Sequence, residues 1–175
     1  MIINICLIVM ILCVLIFDLK VQRIPNYITF SGIIIGLTLY TVTSGISGLF
    51  DGILGMLAGI ALLLIPFSMR GIGGGDVKLL GAIGAFKGVQ FVFNTFLASA
   101  VFGGIIAVVI IIYKGKIIET LKWCFKSLYK IILLLFTNGR RNIQSGGFPA
   151  KGIAYPYGLA ISLGTLLILV LEVIK

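Results

Sequence analysis

The sequence contains no histidine, and only three cysteines and five acidic residues occur among its 175 residues. The missing histidine excludes HExxH metalloproteases, Ser-His and Cys-His nucleophilic pairs, and most zinc or haem chemistry. Cys6, Cys13 and Cys124 are too few and too scattered for a disulfide framework or a four-cysteine zinc site. We therefore expect no metal and no cofactor, and an enzyme with this sequence must use carboxylates, lysines, tyrosines or hydroxyls.

Charged residues are scarce, whereas apolar residues are abundant. Hydrophobic residues make up 60% of the chain and charged residues 11%, and the mean hydropathy is +1.24. Soluble proteins carry about 25% charged residues, so we expect a single polytopic membrane domain over residues 1–175. Its apolar runs, separated by short polar stretches, lie at about 1–17, 27–43, 48–69, 77–113 and 153–174. The first run lacks the basic start and cleavage site of a signal peptide and is expected to be a retained helix.

The run at 77–113 is too long for one membrane span, and Lys87-Gly88 offers a turn inside it. A division there predicts a short helix at about 77–86 and a full helix at about 89–113. The expected fold class is therefore all-α, a bundle of about six transmembrane helices. Glycines at GxxxG spacing allow close helix packing in lipid. These pairs are Gly32 with Gly36, Gly48 with Gly52, Gly55 with Gly59, and Gly84 with Gly88.

The basic residues predict how the chain crosses the membrane, because lysine and arginine concentrate in cytoplasmic loops. With six spans and the N-terminus outside, the fourteen basic residues fall on the inner side except Lys87 and Lys175. We expect a multi-pass protein of the plasma membrane in this orientation. Topology and attraction to anionic lipids account for the net charge of +9, so nucleic acid is not an expected partner.

A different pattern occupies the stretch that follows Lys114. Lys122, Lys126 and Lys130 form a basic stripe, and aromatic and aliphatic residues tend toward another face. This pattern is typical of an amphipathic helix that lies on the inner leaflet, with anionic lipids as its expected partner. A cytoplasmic loop rich in glycine, asparagine and serine follows, and the two together cover about 114–152.

Two of the five acids have an unusual position. Asp18 ends the first apolar segment, and Asp76 lies in the glycine-rich stretch GIGGGDVKLL before another. The predicted orientation places both on the cytoplasmic side of the bundle, where they can meet across helices. Acids buried in a membrane are costly and are functional candidates for that reason. A structural role stays open for each, because Asp18 could pair with Lys20 or Arg23, and Asp76 could cap a helix that begins at Val77.

A converging pair of carboxyl groups suggests a specific chemistry. Two carboxylates in contact do not both stay ionised near neutral pH, so the pair keeps one proton. The charged member can then take a proton from an attacking water while the protonated member donates to a peptide carbonyl oxygen. This is aspartyl proteolysis, which needs neither histidine nor metal. The glycines around Asp76 leave room for a substrate backbone because they carry no Cβ.

Three blocks of sequence carry a family resemblance: DLKVQRIPN at 18–26, GGGDVKLLGAIGAF at 73–86 and YPYGLAISLG at 155–164. In type, order and spacing they resemble the type IV prepilin peptidases and their archaeal preflagellin counterparts, which are membrane aspartyl proteases of the GxGD type. The resemblance implies that Asp18 and Asp76 are the catalytic pair. It also implies supporting roles for Gly73, Gly75, Lys78, Pro25 and Asn26, and a place on the substrate side for Pro156, Tyr157 and Gly158.

The resemblance also implies the substrate. Substrates of this family are pilin-like precursors with a short basic leader ahead of a hydrophobic helix, and they are cleaved at the cytoplasmic face. Larger members carry an insertion with paired CxxC motifs between the first two helices, and some methylate the new N-terminus. In this chain only residues 18–26 lie between the first two predicted helices, and they contain no CxxC motif. We therefore expect the compact, peptidase-only type, without N-methyltransferase activity.

Two other functions stay open from the sequence. A small transporter or ion-conducting component could bind or relay cations with the same two acids, although no inverted repeat is visible. A presenilin-like intramembrane protease would cut ordinary transmembrane helices. Such relatives are expected to show a Tyr-Asp pair and a Pro-Ala-Leu motif, whereas Asp18 follows Phe17 and the late motif is Pro-Tyr-Gly.

Overall fold

The structure is a computed structural model that describes residues 2–21, 24–68, 72–113 and 157–174. The helices in this part of the chain are α1 (Ile2–Val21), α2 (Asn26–Ser68), α3 (Gly74–Tyr113) and α4 (Tyr157–Ile174). Each of them is long and apolar enough to cross a membrane. The prediction of an all-α fold with membrane-spanning helices is therefore confirmed. The amphipathic helix and loop predicted at about 114–152 lie outside the described residues.

The two longest helices are each interrupted once by a glycine. Gly45 in α2 has φ 69° and ψ −154°, and Gly88 in α3 has φ 78° and ψ −173°. Glycine adopts a positive φ readily because it has no Cβ. The interruption of α3 falls at the Lys87-Gly88 turn that the sequence predicts. The number of six transmembrane helices stays a prediction.

The start of α3 differs from the sequence prediction. The helix begins at Gly74, ahead of the predicted start at about residue 77. Consecutive glycines disfavour a helix by intrinsic propensity, but tertiary contacts override that preference here. A methyl group added to Gly75 would lie only 3.0 Å from Cβ of Ile24, so the first turn of α3 packs tightly against the link before α2. Asp76 consequently lies within the first turn of α3.

Glycines bring α2 and α3 into close contact. A methyl group added to Gly84 would overlap the Gly55 carbonyl oxygen, and one added to Gly59 would lie 2.8 Å from the carbonyl carbon of Leu80. Backbones can approach this closely only where side chains are absent. The GxxxG pattern therefore marks a helix interface, as the sequence indicates.

The part of α3 that precedes Gly88, here called its first arm, contributes many of the buried core side chains. Leu79, Leu80, Ile83 and Phe86 on this arm are almost completely buried. Large apolar side chains are exposed on all four described helices, and Ile16, Ile65, Val101 and Val170 are examples. Exposure of this apolar surface to water costs free energy, whereas contact with lipid tails does not. The pattern therefore agrees with helices that cross a membrane.

An ion pair joins α3 to α4 at the end of the bundle opposite to Asp18 and Asp76. Lys87 Nζ lies 2.8 Å from Oε2 and 3.0 Å from Oε1 of Glu172. Asp76 and Lys87 belong to the same helical arm, and their separation along it is about 16 Å at 1.5 Å per residue. The sequence analysis does not predict this pairing.

This ion pair is expected to contribute little to stability and nothing to activity. Glu172 has 49% of its side chain exposed, and exposed ion pairs are worth less than about 1 kcal/mol. A double-mutant cycle of Lys87→Met and Glu172→Gln, followed by unfolding in detergent, should give a coupling energy in that range. A loss of activity in either variant would contradict the expectation that the Lys87–Glu172 ion pair has no role in activity.

Candidate active site

The structure brings two buried acids together at one end of the bundle. Asp18 comes from the last turn of α1 and is 5% exposed, and Asp76 comes from the first turn of α3 and is 9% exposed. The two carboxyl groups are close enough to interact electrostatically. Burial of two acids in one place opposes folding unless hydrogen bonds or a shared proton compensate. Such a pair is therefore a candidate for function.

A backbone hydrogen bond holds the Asp76 carboxyl group. Its Oδ2 accepts the N–H of Gly73 at 3.1 Å. Gly73 immediately precedes α3, so Asp76 occupies the position from which a side chain reaches back to the residue before the helix, as in half of a capping box. The helix-capping role that the sequence left open is present, but the helix begins at Gly74 instead of Val77.

Asp18 is held in an equivalent way by a different helix. Its Oδ2 accepts the N–H of Leu159 at 2.9 Å, in the first turn of α4. The N–H groups at a helix N-terminus lack partners within the helix, and they favour a negative group. A methyl group added to Gly158 would lie 2.8 Å from the same oxygen. Only a glycine at this position lets α4 approach the carboxyl group so closely.

Asp18 is not paired with Lys20 in the structure. Lys87 and Glu172 form the only ion pair within the four described segments, and Arg23 lies outside those segments. Within the described segments, the Asp18 carboxyl group is therefore held by the backbone of α4 and not by a cation.

Lys78 is directed toward the start of α2 instead of toward the acids. Its Nζ donates to Oδ1 of Asn26 at 2.9 Å and lies 5.4 Å from the ring centroid of Phe30. A charged hydrogen bond and a cation–π contact thus connect the first turns of α2 and α3. The structure brings together two residues that the family resemblance marks as supporting, and it gives them a structural contact. Pro25, another of the five supporting residues, precedes α2, and its carbonyl oxygen accepts the N–H of Ile28 at 3.2 Å.

Tyr157 and Gly158, which the resemblance assigns to the substrate side, lie near the two acids. The Tyr157 side chain lies within hydrogen-bonding reach of Ser99 and interacts electrostatically with Asp76. Gly158 lies against the Asp18 carboxyl group. Pro156 lies outside the described residues. Sequence reasoning missed Leu159, because it acts only through its backbone N–H, and Ser99, because a small buried serine carries no distinctive pattern.

The Asp18 and Asp76 carboxyl groups are held by the same kind of hydrogen bond. Among the hydrogen bonds of the described residues, each group uses its Oδ2 to accept one backbone N–H at a helix N-terminus. Oδ1 of Asp18 and Oδ1 of Asp76 take no part in those bonds. The described residues contain no group of three or more His, Cys, Asp or Glu side chains that could hold a metal ion.

One of the comparisons with known proteins identifies a family. Residues 5–108 match the model of the type IV leader peptidase family, and the matched region contains both aspartates. No curated protein and no solved structure matches the chain. The family match covers more than half of the sequence. The chain therefore belongs to the type IV leader peptidase family, and it is a protease with helices suited to crossing a membrane.

Proposed function

We propose that this protein cleaves the short basic leader of pilin-like precursors at the cytoplasmic face of the membrane, with Asp18 and Asp76 as its catalytic residues. The observation that carries the proposal is the pair of buried, interacting carboxyl groups, each with one oxygen outside the backbone hydrogen bonds. Membership of the leader peptidase family supports peptide hydrolysis over ion transport by the same acids. The family also supports pilin precursors as the class of substrate.

The proposed reaction uses one proton shared by the pair. The ionised carboxyl group removes a proton from a water molecule, and the water oxygen attacks the carbonyl carbon of the scissile peptide bond. The protonated carboxyl group donates its proton to the carbonyl oxygen. The carboxyl group that took the proton from water then gives it to the leaving nitrogen. The other carboxylate takes a proton from a hydroxyl group of the tetrahedral intermediate as the C–N bond breaks. The products are a carboxyl group on the leader and an amine on the mature chain, and the pair again holds one proton.

The backbone hydrogen bonds prepare both groups for this reaction. The Gly73 and Leu159 N–H groups fix the Oδ2 atoms and thereby set the directions of the Oδ1 atoms. Catalytic groups that are already oriented need not be ordered during the reaction, which lowers its barrier. Gly73 is exposed, in contrast to Asp76. A substrate backbone can approach Asp76 over this glycine because the glycine has no side chain of its own.

Co-expression with candidate precursors tests the proposed function. The chain is expressed with a precursor that carries a basic leader, and the double variant Asp18→Ala/Asp76→Ala serves as the control for host proteases. Wild type should shorten the precursor, and mass spectrometry should locate the cut at the end of the leader. Cleavage in the double variant, or an intact precursor with wild type, would contradict the proposal. Cleavage within an ordinary transmembrane helix would support the presenilin-like alternative, and cation flux in liposomes without cleavage would support the transporter.

The orientation that we propose makes a separate prediction about labelling. In a chain whose native cysteines are replaced by serine, Lys20→Cys should react with an impermeant thiol reagent only from the cytoplasmic side. Ser47→Cys, at an exposed position near the interruption at Gly45, should react only from outside. Reversed labelling of the pair would place Asp18 and Asp76 at the outer face and would contradict the proposed site of cleavage.

A further inference from the structure

Ile24 contacts the glycines that lie next to both aspartates. A methyl group added to Gly75 would lie 3.0 Å from Ile24 Cβ, and one added to Gly158 would lie 3.2 Å from Ile24 Cδ1. Gly75 immediately precedes Asp76. Gly158 contacts Asp18 and immediately precedes Leu159, whose N–H holds that acid. The single side chain of Ile24 therefore spans the space between the first turn of α3 and the first turn of α4.

The backbone that follows Ile24 is anchored at two points. Pro25 restricts the backbone after it, and the Ile28 N–H donates to the Pro25 carbonyl oxygen at 3.2 Å. Asn26 accepts the hydrogen bond from Lys78, which belongs to the same turn of α3 as Asp76. Ile24 itself packs against the buried core. The side chain is thus held against both glycine turns and has little freedom to move away from them.

We propose that Ile24 is a positioning residue that sets the separation between the Asp18 and Asp76 carboxyl groups. The inference rests on the proposed function, because it concerns the same catalytic pair. Protein interiors are close-packed, so the volume of a side chain between two turns fixes how far apart they lie. When part of that volume is removed, the turns shift or a cavity remains. A misplacement of catalytic groups by about 1 Å can reduce a rate about 100-fold.

Kinetics of single variants test this role in the purified full chain. Ile24→Ala should lower kcat for a leader-bearing precursor by about 10- to 100-fold and leave KM unchanged, because the catalytic groups move while the substrate still binds. Ile24→Val lacks only the Cδ1 that faces Gly158, so it should lower kcat by about 2- to 5-fold, less than alanine does. Ile28→Ala is the matched control, since Ile28 also packs partly buried against the core at the start of α2. It should lower stability to a similar extent and leave kcat unchanged.

The outcomes separate this inference from the proposed function. Asp76→Asn is measured beside the isoleucine variants. If Asp76→Asn is inactive and Ile24→Ala has the wild-type kcat, the positioning role is wrong and the proposed function stands. If Ile24→Ala and Ile28→Ala lose kcat equally, the positioning role is also wrong. An active Asp76→Asn overturns the proposed function itself.

Cross-linking gives a measurement that does not depend on activity. Asp18→Cys and Asp76→Cys are combined in a chain whose native cysteines are replaced by serine, with either isoleucine or valine at position 24. The rate of cross-linking by a short bifunctional thiol reagent should change several-fold with the valine, because the distance between the two positions changes. An unchanged rate would overturn the positioning role even if Ile24→Ala does not fold.

Discussion

Asparagine in place of Asp76 is expected to lower the rate of leader cleavage by about 1,000-fold while the protein stays folded. The size of this loss is typical of a missing general acid or base. The amide oxygen of asparagine can still accept the Gly73 N–H, so the start of α3 keeps its cap. The amide cannot exchange a proton with water or substrate. Asp18→Asn should behave in the same way, with Leu159 as the retained donor.

Alanine variants separate the capping role of the two acids from their chemistry. Asp18→Ala and Asp76→Ala should also lose cleavage, and in addition they should lose about 1 kcal/mol of stability because a cap is removed. Cleavage is measured by single-turnover kinetics, and stability is measured by unfolding in detergent. Asp51→Asn is the matched control, since Asp51 is exposed on α2. If Asp76→Asn kept more than a tenth of the wild-type rate, the aspartyl mechanism would be wrong.

Alanine in place of Gly84 is expected to destabilise the bundle by about 3 kcal/mol or more, at the upper end of overpacking effects. The added methyl group would overlap the Gly55 carbonyl oxygen and would also lie 2.9 Å from the Met56 nitrogen. Backbone atoms cannot move aside as a flexible side chain can. The two helices must therefore separate along their interface, and the α3 arm that carries Asp76 must move with it.

Gly104 offers a control in the same helix. In the described part of the chain, no atom beyond its own helical turn lies within 4 Å of a methyl group added there. Gly104→Ala should be neutral or should stabilise α3 by about 0.5 to 1 kcal/mol, because alanine has the better helix propensity. Thermal unfolding of both variants in the same detergent gives the comparison. A similar stability for Gly84→Ala and wild type would show that α2 and α3 do not pack through the Gly55–Gly84 contact.

Several features of the site could be predicted from the sequence, because they follow from periodicity and charge. Apolar runs divided by polar stretches predict that Asp18 and Asp76 lie at one end of a helical bundle. Lys87-Gly88 predicts the interruption of α3, because a charged residue and a glycine break an apolar run. These signals are local in the sequence, so they need no knowledge of tertiary contacts.

Other features depend on contacts between distant segments, and no local pattern indicates them. The early start of α3 at Gly74 depends on packing against Ile24, which opposes the intrinsic preference of glycine. The acceptor for Lys78 is Asn26 in another helix, although Asp76 is nearer in sequence. The donor to Asp18 is a backbone N–H, and every residue except proline has one.

The hydrogen bond between Asp18 and Leu159 also has a consequence for synthesis and membrane insertion. Asp18 belongs to the first described helix, and its donor belongs to the last. While the chain emerges from the ribosome, the acid enters the membrane early and has no access to that N–H. The proposed catalytic site is therefore completed only after α4 has been made and inserted. A chain that is interrupted before Tyr157 would contain both aspartates and still lack a finished protease.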